Sequence, residues 1–453
     1  MERRVRLAPE PTPATREVRR KMDASGYDVL GVGFGPANLS LAIAIREDSS
    51  PLRAHFIEAR NDPTWQGGML LDGSNIQNHP SRDLVTLRNP RSRYSFLNYL
   101  FESNRLVEHL NLPAEYPLRK EYSHYIGWAT RQFSDCVTFG ADATAIELDR
   151  HRGAPVYVTA TSDGTEYAAR TLVLATGRTP YVPSVFDGPT TKTILHLTEY
   201  LYRIAELDSP PTRIAVVGGS QSGVEIVLDL ARRFPAARVS QYARAHSLRL
   251  KDTSPFSEEG YFPEFTDYYY RASRDGKRIL DAYMRPTNYS SSDADILHDL
   301  YNLIYEQRLD GTQRVFVEGD SEIYAVKATG EGVRLSIRDR HRGTTRHDEV
   351  DLVVLATGFR DLGPGEHQEP YPPLLAHVIE NFRFDSDGYL EVDDDYSLRA
   401  IRPETPPIFL NGLCESTHGI GDAGSFSLLS LRAKRIRDGL LKSAVDIPCP
   451  DQG

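Results

Sequence analysis

The chain has 453 residues, 40% hydrophobic and 26% charged, the balance of an ordinary soluble fold with room for two or three packed domains. Its net charge of −10 argues against nucleic acid as the main partner, and no apolar run approaches the roughly 18 residues needed to cross a bilayer. Three scattered cysteines (Cys136, Cys414 and Cys449) include no C-x-x-C pair. This argues against a disulfide framework, a dithiol redox pair or a structural zinc site, and points to a reducing, cytoplasmic setting.

Residues 1–26 are rich in Arg and Pro, lack the apolar core of a secretion signal, and read as a disordered basic tail. Tyr27-Asp28-Val29-Leu30 then reads as a buried strand, followed by the glycine turn Gly31-Val32-Gly33-Phe34-Gly35-Pro36 and an apolar helix from Ala37 to about Arg46. A second strand, Ala54–Ile57, ends in Glu58, 27 residues after Gly31. Gly31 and Gly33 allow a tight turn and close backbone approach, and Gly35 and Pro36 open a helix whose positive end suits a pyrophosphate. A strand-end carboxylate such as Glu58 accepts hydrogen bonds from ribose hydroxyls.

The pattern recurs. Arg213–Val217 reads as a strand, Gly218-Gly219-Ser220-Gln221-Ser222-Gly223 as the turn, Val224 to about Phe234 as the helix, and Val239–Tyr242 as the second strand. After that strand stands Arg244, 26 residues beyond Gly218, with no carboxylate; a cation there suits the 2′-phosphate of NADPH. Ser220 replaces the middle glycine, which predicts a looser approach to phosphate. Two further segments echo each other, Thr171–Gly177 and Asp351–Gly358, each an apolar strand closing on Ala-Thr-Gly. Each is expected to return beneath one of the turns.

The fold class expected is α/β, with two Rossmann-like dinucleotide-binding domains (FAD and NADPH) and a small helical substrate subdomain. The FAD domain would comprise 27–205 and 345–445, and the NADPH domain 206–344, with a Tyr- and Asp-rich helical segment at 254–308 facing the substrate.

Gly31-Val-Gly-Phe-Gly-Pro-Ala-Asn-Leu-Ser-Leu-Ala42 resembles the FAD motif of the flavin-dependent N-hydroxylating monooxygenases, the ornithine and lysine N-hydroxylases. The resemblance continues through Asp83–Pro90, Phe96–Tyr99, Tyr116–Arg119 with Glu121 and Tyr122, Val217–Ser222, Ser254-Pro-Phe256, Thr287-Asn-Tyr-Ser290 and His418-Gly419, covering about 27–440. It implies FAD and NADPH as cofactors and a small-molecule amine and O₂ as substrates. A flavin C4a-hydroperoxide would deliver oxygen to a neutral side-chain amine of ornithine or lysine, in siderophore or related biosynthesis. It implies a homo-oligomer, tetramer or dimer, and no metal.

By the same resemblance, Gln77 lies beside the reactive edge of the flavin, and Trp65 and Met69 belong to the segment lining its ring. Gln221 and Ser222 contact the nicotinamide dinucleotide. Arg82 takes the place of a lysine that holds the substrate carboxylate, Asn288 matches an asparagine that binds the amino acid, and Ser430 ends a substrate and flavin contact segment. Three features depart from the family: Arg82 itself, Glu258 in place of an asparagine, and the insertion Asp422–Phe426. They leave open lysine, another amine or a free diamine such as putrescine or cadaverine. A pyridine nucleotide–disulfide reductase shares the two-nucleotide plan but needs a cysteine pair. A Baeyer–Villiger or sulfur-oxidising flavin monooxygenase leaves the 83–90 and 287–290 matches unexplained. A flavin-binding protein without turnover would rest on the changes at Arg82, Ser220 and Glu258.

Overall fold

The strand Tyr27–Val32 pairs in parallel with Ala54–Glu58 on one side and Glu166–Leu174 on the other. This computed structural model describes residues 26–446 apart from 152, 188–192 and 331. The expected disordered tail therefore lies outside the described residues, save Gly26. Val137–Phe139 extends the sheet beyond Ala54–Glu58. On its far edge Glu166–Leu174 is shared: its first half pairs antiparallel with Ala154–Thr161, and its last three residues pair in parallel with Ile408–Leu410. Burial on both faces explains why Leu172–Leu174 and Ile408–Leu410 read as unbroken apolar runs. Each fully buried Val, Leu or Ile there contributes roughly 1.5–3 kcal/mol. Helix Pro36–Glu47, opened by Pro at its first turn, lies against the C-terminal helix Leu429–Asp446.

The second sheet is wholly parallel, in the order Val315–Glu318, Arg238–Tyr242, Arg213–Val217, Leu352–Leu355, Ile194–His196. Asp351 pins its centre, accepting hydrogen bonds from the backbone N–H groups of Thr212 and Arg213, each at 2.8 Å. Helices Gln221–Arg233 and Ala294–Leu309 cover one face. The antiparallel strands Ser321–Ala328, Val333–Asp339 and Thr345–Val350 pack against the other.

Two expected boundaries change. Ile194–His196 and Leu352–Leu355 both belong to the second sheet, so divisions at 205/206 and 344/345 cut through it. Both are short apolar runs, and only pairing decides which sheet takes such a strand. The helical segment 254–308 also splits. Ala294–Leu309 is a layer of the second unit, whereas the helices from Pro255 to Met284 pack through Tyr261 and Met284 on Ile420.

Candidate active site

The first glycine turn opens into a cleft of about 530 Å³. Gly33 has φ +86°, and a Cβ there would lie 2.4 Å from the carbonyl oxygen of Ala175, so no side chain fits. The echo strand runs beneath the turn as expected. Gly35 and Pro36 line the cleft, and a Cβ on Gly35 would meet nothing within 4 Å. Glu58 stands at its strand end and accepts hydrogen bonds from the N–H of Phe34 (2.8 Å) and of Arg60 (3.1 Å).

A buried polar chain floors this cleft. Asn38 Nδ2 donates to the Gly33 carbonyl (2.8 Å), Asn411 Nδ2 to Asn38 Oδ1 (3.1 Å), and Arg432 Nε to Asn411 Oδ1 (2.9 Å). Arg432 pairs with Asp422 at 2.8 Å, both almost fully buried. The Asp422–Phe426 insertion is thus anchored in the core, because removing either partner would strand a buried charge. It delivers Phe426 edge-on to Trp65 (5.2 Å) and Tyr122 (5.0 Å), and Trp65 and Phe426 both line the cleft. Met69 does not: its side chain packs in the core of the second unit, while its carbonyl accepts from Arg119 at 2.9 Å.

The second turn repeats the first. Gly218 has φ +135°, and a Cβ would lie 2.2 Å from the Ala356 carbonyl oxygen, on the other echo strand. Ser220 adopts φ −108°, so a side chain is accommodated without strain. Gln221 and Ser222 begin the helix, half-buried. Both ends of the Gln221 amide are engaged: Oε1 accepts from the Asp293 N–H (2.9 Å) and Nε2 donates to Glu225 (3.0 Å). Arg244 is exposed just beyond its strand, and its carbonyl accepts from Arg340 at 2.9 Å.

Between the units, Gln77 holds a left-handed backbone, φ +52°. Its N–H donates to Asn75 Oδ1 (2.9 Å) and its Nε2 to the Asp293 carboxylate. Arg82 Nη1 lies 3.7 Å from Glu258 and donates to Ser427 Oγ at 3.1 Å. Both charged side chains keep about a quarter of their surface exposed. Tyr261 gathers this group. Burial pushes its phenol well up, the Thr287 hydroxyl opposes that by hydrogen bonding, Glu258 adds to it and Arg82 opposes it. Asn288 follows the turn Arg285–Thr287, half-buried. Ser430 is buried, its hydroxyl makes no hydrogen bond among the described residues, and it does not line the cleft.

The structure therefore brings Arg82 and Glu258 to one place, and sets Met69 and Ser430 into the core. His196 and His418 are packed histidines. His196 contacts the Gly358 carbonyl at 3.0 Å; His418 stacks on Tyr396 at 4.0 Å, and burial pushes it down to about 4. In the Tyr268-Tyr-Tyr270 run, Tyr268 is exposed, Tyr269 donates to Asp281 at 2.8 Å and Tyr270 lies against His418, so the three form no cage. Sequence reasoning misses Asp293, Glu225 and Arg432, and singles out Asp422 only as the start of an insertion. Glu225 carries one signal, its place one helical turn after Gln221.

Two Rossmann-type units, each with a carbonyl pressed beneath its glycine turn, define an α/β protein of the two-dinucleotide fold class. The family model described as L-lysine 6-monooxygenase/L-ornithine 5-monooxygenase matches residues 25–361, and the chain belongs to that family of flavin N-hydroxylating monooxygenases. An L-ornithine N(5)-monooxygenase of Burkholderia cepacia is 36% identical over 91% of this chain and 94% of its own. Among solved structures, an ornithine N-hydroxylase from Kutzneria sp. 744 with reduced FAD, NADP⁺ and L-ornithine superposes with a TM-score of 0.85 at 30% identity, covering 92% of this chain and all of that one. An L-lysine 6-monooxygenase from Pseudomonas syringae gives 0.79 at 35% identity, over 92% and 99%. Among the described residues, no helix is long and apolar enough to cross a membrane, and no His, Cys, Asp and Glu cluster is suited to a metal.

Proposed function

We propose that this chain uses FAD, NADPH and O₂ to hydroxylate the side-chain amine of L-ornithine or L-lysine. The first glycine turn and the positive end of helix Pro36–Glu47 would hold the FAD pyrophosphate, and Glu58 the adenosine ribose. The open wall at Gly35 fits a phosphate that a side chain would displace. Gly218–Ser222 would hold NADPH, with Arg244 on its 2′-phosphate. Once bound, FAD reduced by NADPH supplies the activated oxygen.

The observation that carries the substrate reading is the Arg82–Glu258 pair, 3.7 Å apart with about a quarter of each side chain exposed. A zwitterionic amino acid aligned head to tail on such a pair sets its carboxylate on Arg82 and its α-ammonium on Glu258. The reacting amine must be uncharged, because only a free lone pair on nitrogen can take up the oxygen. A second reading rests on the carboxylate of the same pair. Glu258 already faces Arg82 at 3.7 Å, and a carboxylate placed there also suits the far ammonium of a free diamine.

Mass spectrometry of products from an equimolar pool of ornithine, lysine, putrescine and cadaverine separates the two. One amino acid should gain a single oxygen, and Arg82→Ala should raise its KM by about 10- to 100-fold. Product from the carboxylate-free diamines alone would overturn the assignment of Arg82.

A further inference from the structure

Six residues close a ring of hydrogen bonds where the two units meet. Arg119, at the start of helix Arg119–Thr130 in the first unit, donates from both terminal nitrogens to the Glu225 carboxylate, each at 3.0 Å. Glu225 accepts from Gln221 Nε2 at 3.0 Å, and Gln221 Oε1 accepts from the Asp293 N–H at 2.9 Å. The Asp293 carboxylate accepts from Gln77 Nε2, and the Gln77 N–H donates to Asn75 Oδ1 at 2.9 Å. The Asn75 carbonyl accepts from Arg119 at 3.1 Å, which returns to the start.

Arg119 and Glu225 are 8% and 7% exposed, so the one full ion pair in the ring is shielded from water and strong. The ring joins two places the function needs. At one end is the first turn of the helix behind Gly218. At the other is Gln77, whose side chain is tied to the second unit through Asp293 and whose left-handed backbone is held by Asn75. Two arms connect Gln221 with Gln77: one runs through Asp293 to the Gln77 side chain, and the other through Glu225, Arg119 and Asn75 to the Gln77 backbone.

We propose that Glu225 is a positioning residue that couples nucleotide occupancy of the second glycine turn to the backbone setting of Gln77, alongside the direct arm through Asp293; this rests on the nucleotide reading of that turn given above. Glu225→Gln keeps an acceptor for Gln221 but removes the charge facing Arg119, whose guanidinium retains the carbonyls of Met69 and Asn75.

The primary test is hydrogen exchange of the FAD-loaded protein with and without NADP⁺, followed over 73–80 and 218–224. In the unsubstituted protein NADP⁺ should slow exchange in both stretches. In Glu225→Gln the slowing should persist at 218–224 and fall by about half or more at 73–80. Anaerobic mixing with NADPH gives a second readout. The rate of flavin bleaching per bound FAD should drop about tenfold, with the KM for NADPH within about threefold of its starting value.

Retention of the NADP⁺ effect at 73–80 in the variant, or its absence there in the unsubstituted protein while 218–224 is protected, overturns the coupling. Absence of protection at 218–224 in the unsubstituted protein instead overturns the nucleotide reading. If Glu225→Gln does not fold, Glu225→Asp, with its charge kept and its reach shortened, is judged by the same two measurements.

Discussion

The two glycine turns share a backbone and the Ala carbonyl beneath it, and differ in the charge and the packing around them. In each, a positive-φ glycine leaves no room for a Cβ above an Ala carbonyl, Gly33 over Ala175 and Gly218 over Ala356. The first turn then meets a carboxylate, Glu58, and rests on the buried chain from Asn38 to Arg432 and Asp422. The second meets an exposed cation, Arg244, and its helix is tied sideways through Gln221 and Glu225 to the other unit. A local motif therefore settles how close a backbone can come to a phosphate. The charge after the second strand and the segment packed across the turn are what differ; as proposed above, they set the choice of nucleotide and what its binding moves.

The sharpest way to break that comparison is to damage each turn alone. Gly33→Ala drives a methyl into a backbone carbonyl that cannot step aside, in a conformation costing roughly 1–3 kcal/mol for a non-glycine residue. The variant should lose FAD affinity by about 100-fold and purify nearly colourless. Gly218→Ala should keep its flavin absorbance and raise the KM for NADPH by about 100-fold. Loss of both properties from either change would mean that the turns are not separate sites.

A milder change sharpens the difference in charge. Arg244→Ser should raise the KM for NADPH about tenfold and leave that for NADH within about twofold, measured by steady-state oxidation of each. Equal effects on both cofactors would remove the 2′-phosphate from the account of Arg244.

The smallest effect concerns Glu415, a buried carboxyl beside Tyr289 and Arg178. It accepts from Tyr289 and lies 3.6 Å from Arg178. Burial pushes its carboxyl from 4.5 up to about 8; Asp361 adds to the push, and Arg178 opposes it. The folded protein therefore holds this proton more tightly than the unfolded chain. Its contribution is full below about 4.5 and is lost as pH rises through about 8. Thermal unfolding should show Tm declining across that window, and Glu415→Gln, which keeps an acceptor for Tyr289, should flatten the decline.

Much of the site is legible in the amino-acid sequence because its chemistry is local. Gly33 and Gly218, the helices behind them, Glu58 and the paired Ala-Thr-Gly strands all stand where their spacing puts them. Arg82 and Glu258, 176 positions apart, stand out as departures from a family pattern, and they do face each other. Met69 and Ser430 are less legible. A segment that passes a cleft presents only some side chains to it, and the backbone that turns these two into the core is not written in their identities.

Periodicity and glycine spacing are enough to determine two Rossmann-type units, and the family enters through the resemblance of short motifs such as Gly31–Ala42. Those properties depend on residues within about thirty positions of one another. Only the tertiary structure assigns Ile194–His196 and Leu352–Leu355 to the second sheet, anchors the Asp422 insertion on Arg432, and closes the ring from Arg119 through Glu225 to Gln77. Strand pairing and buried polar partners are chosen among distant segments by what remains unsatisfied when the core closes, and no local pattern carries that information.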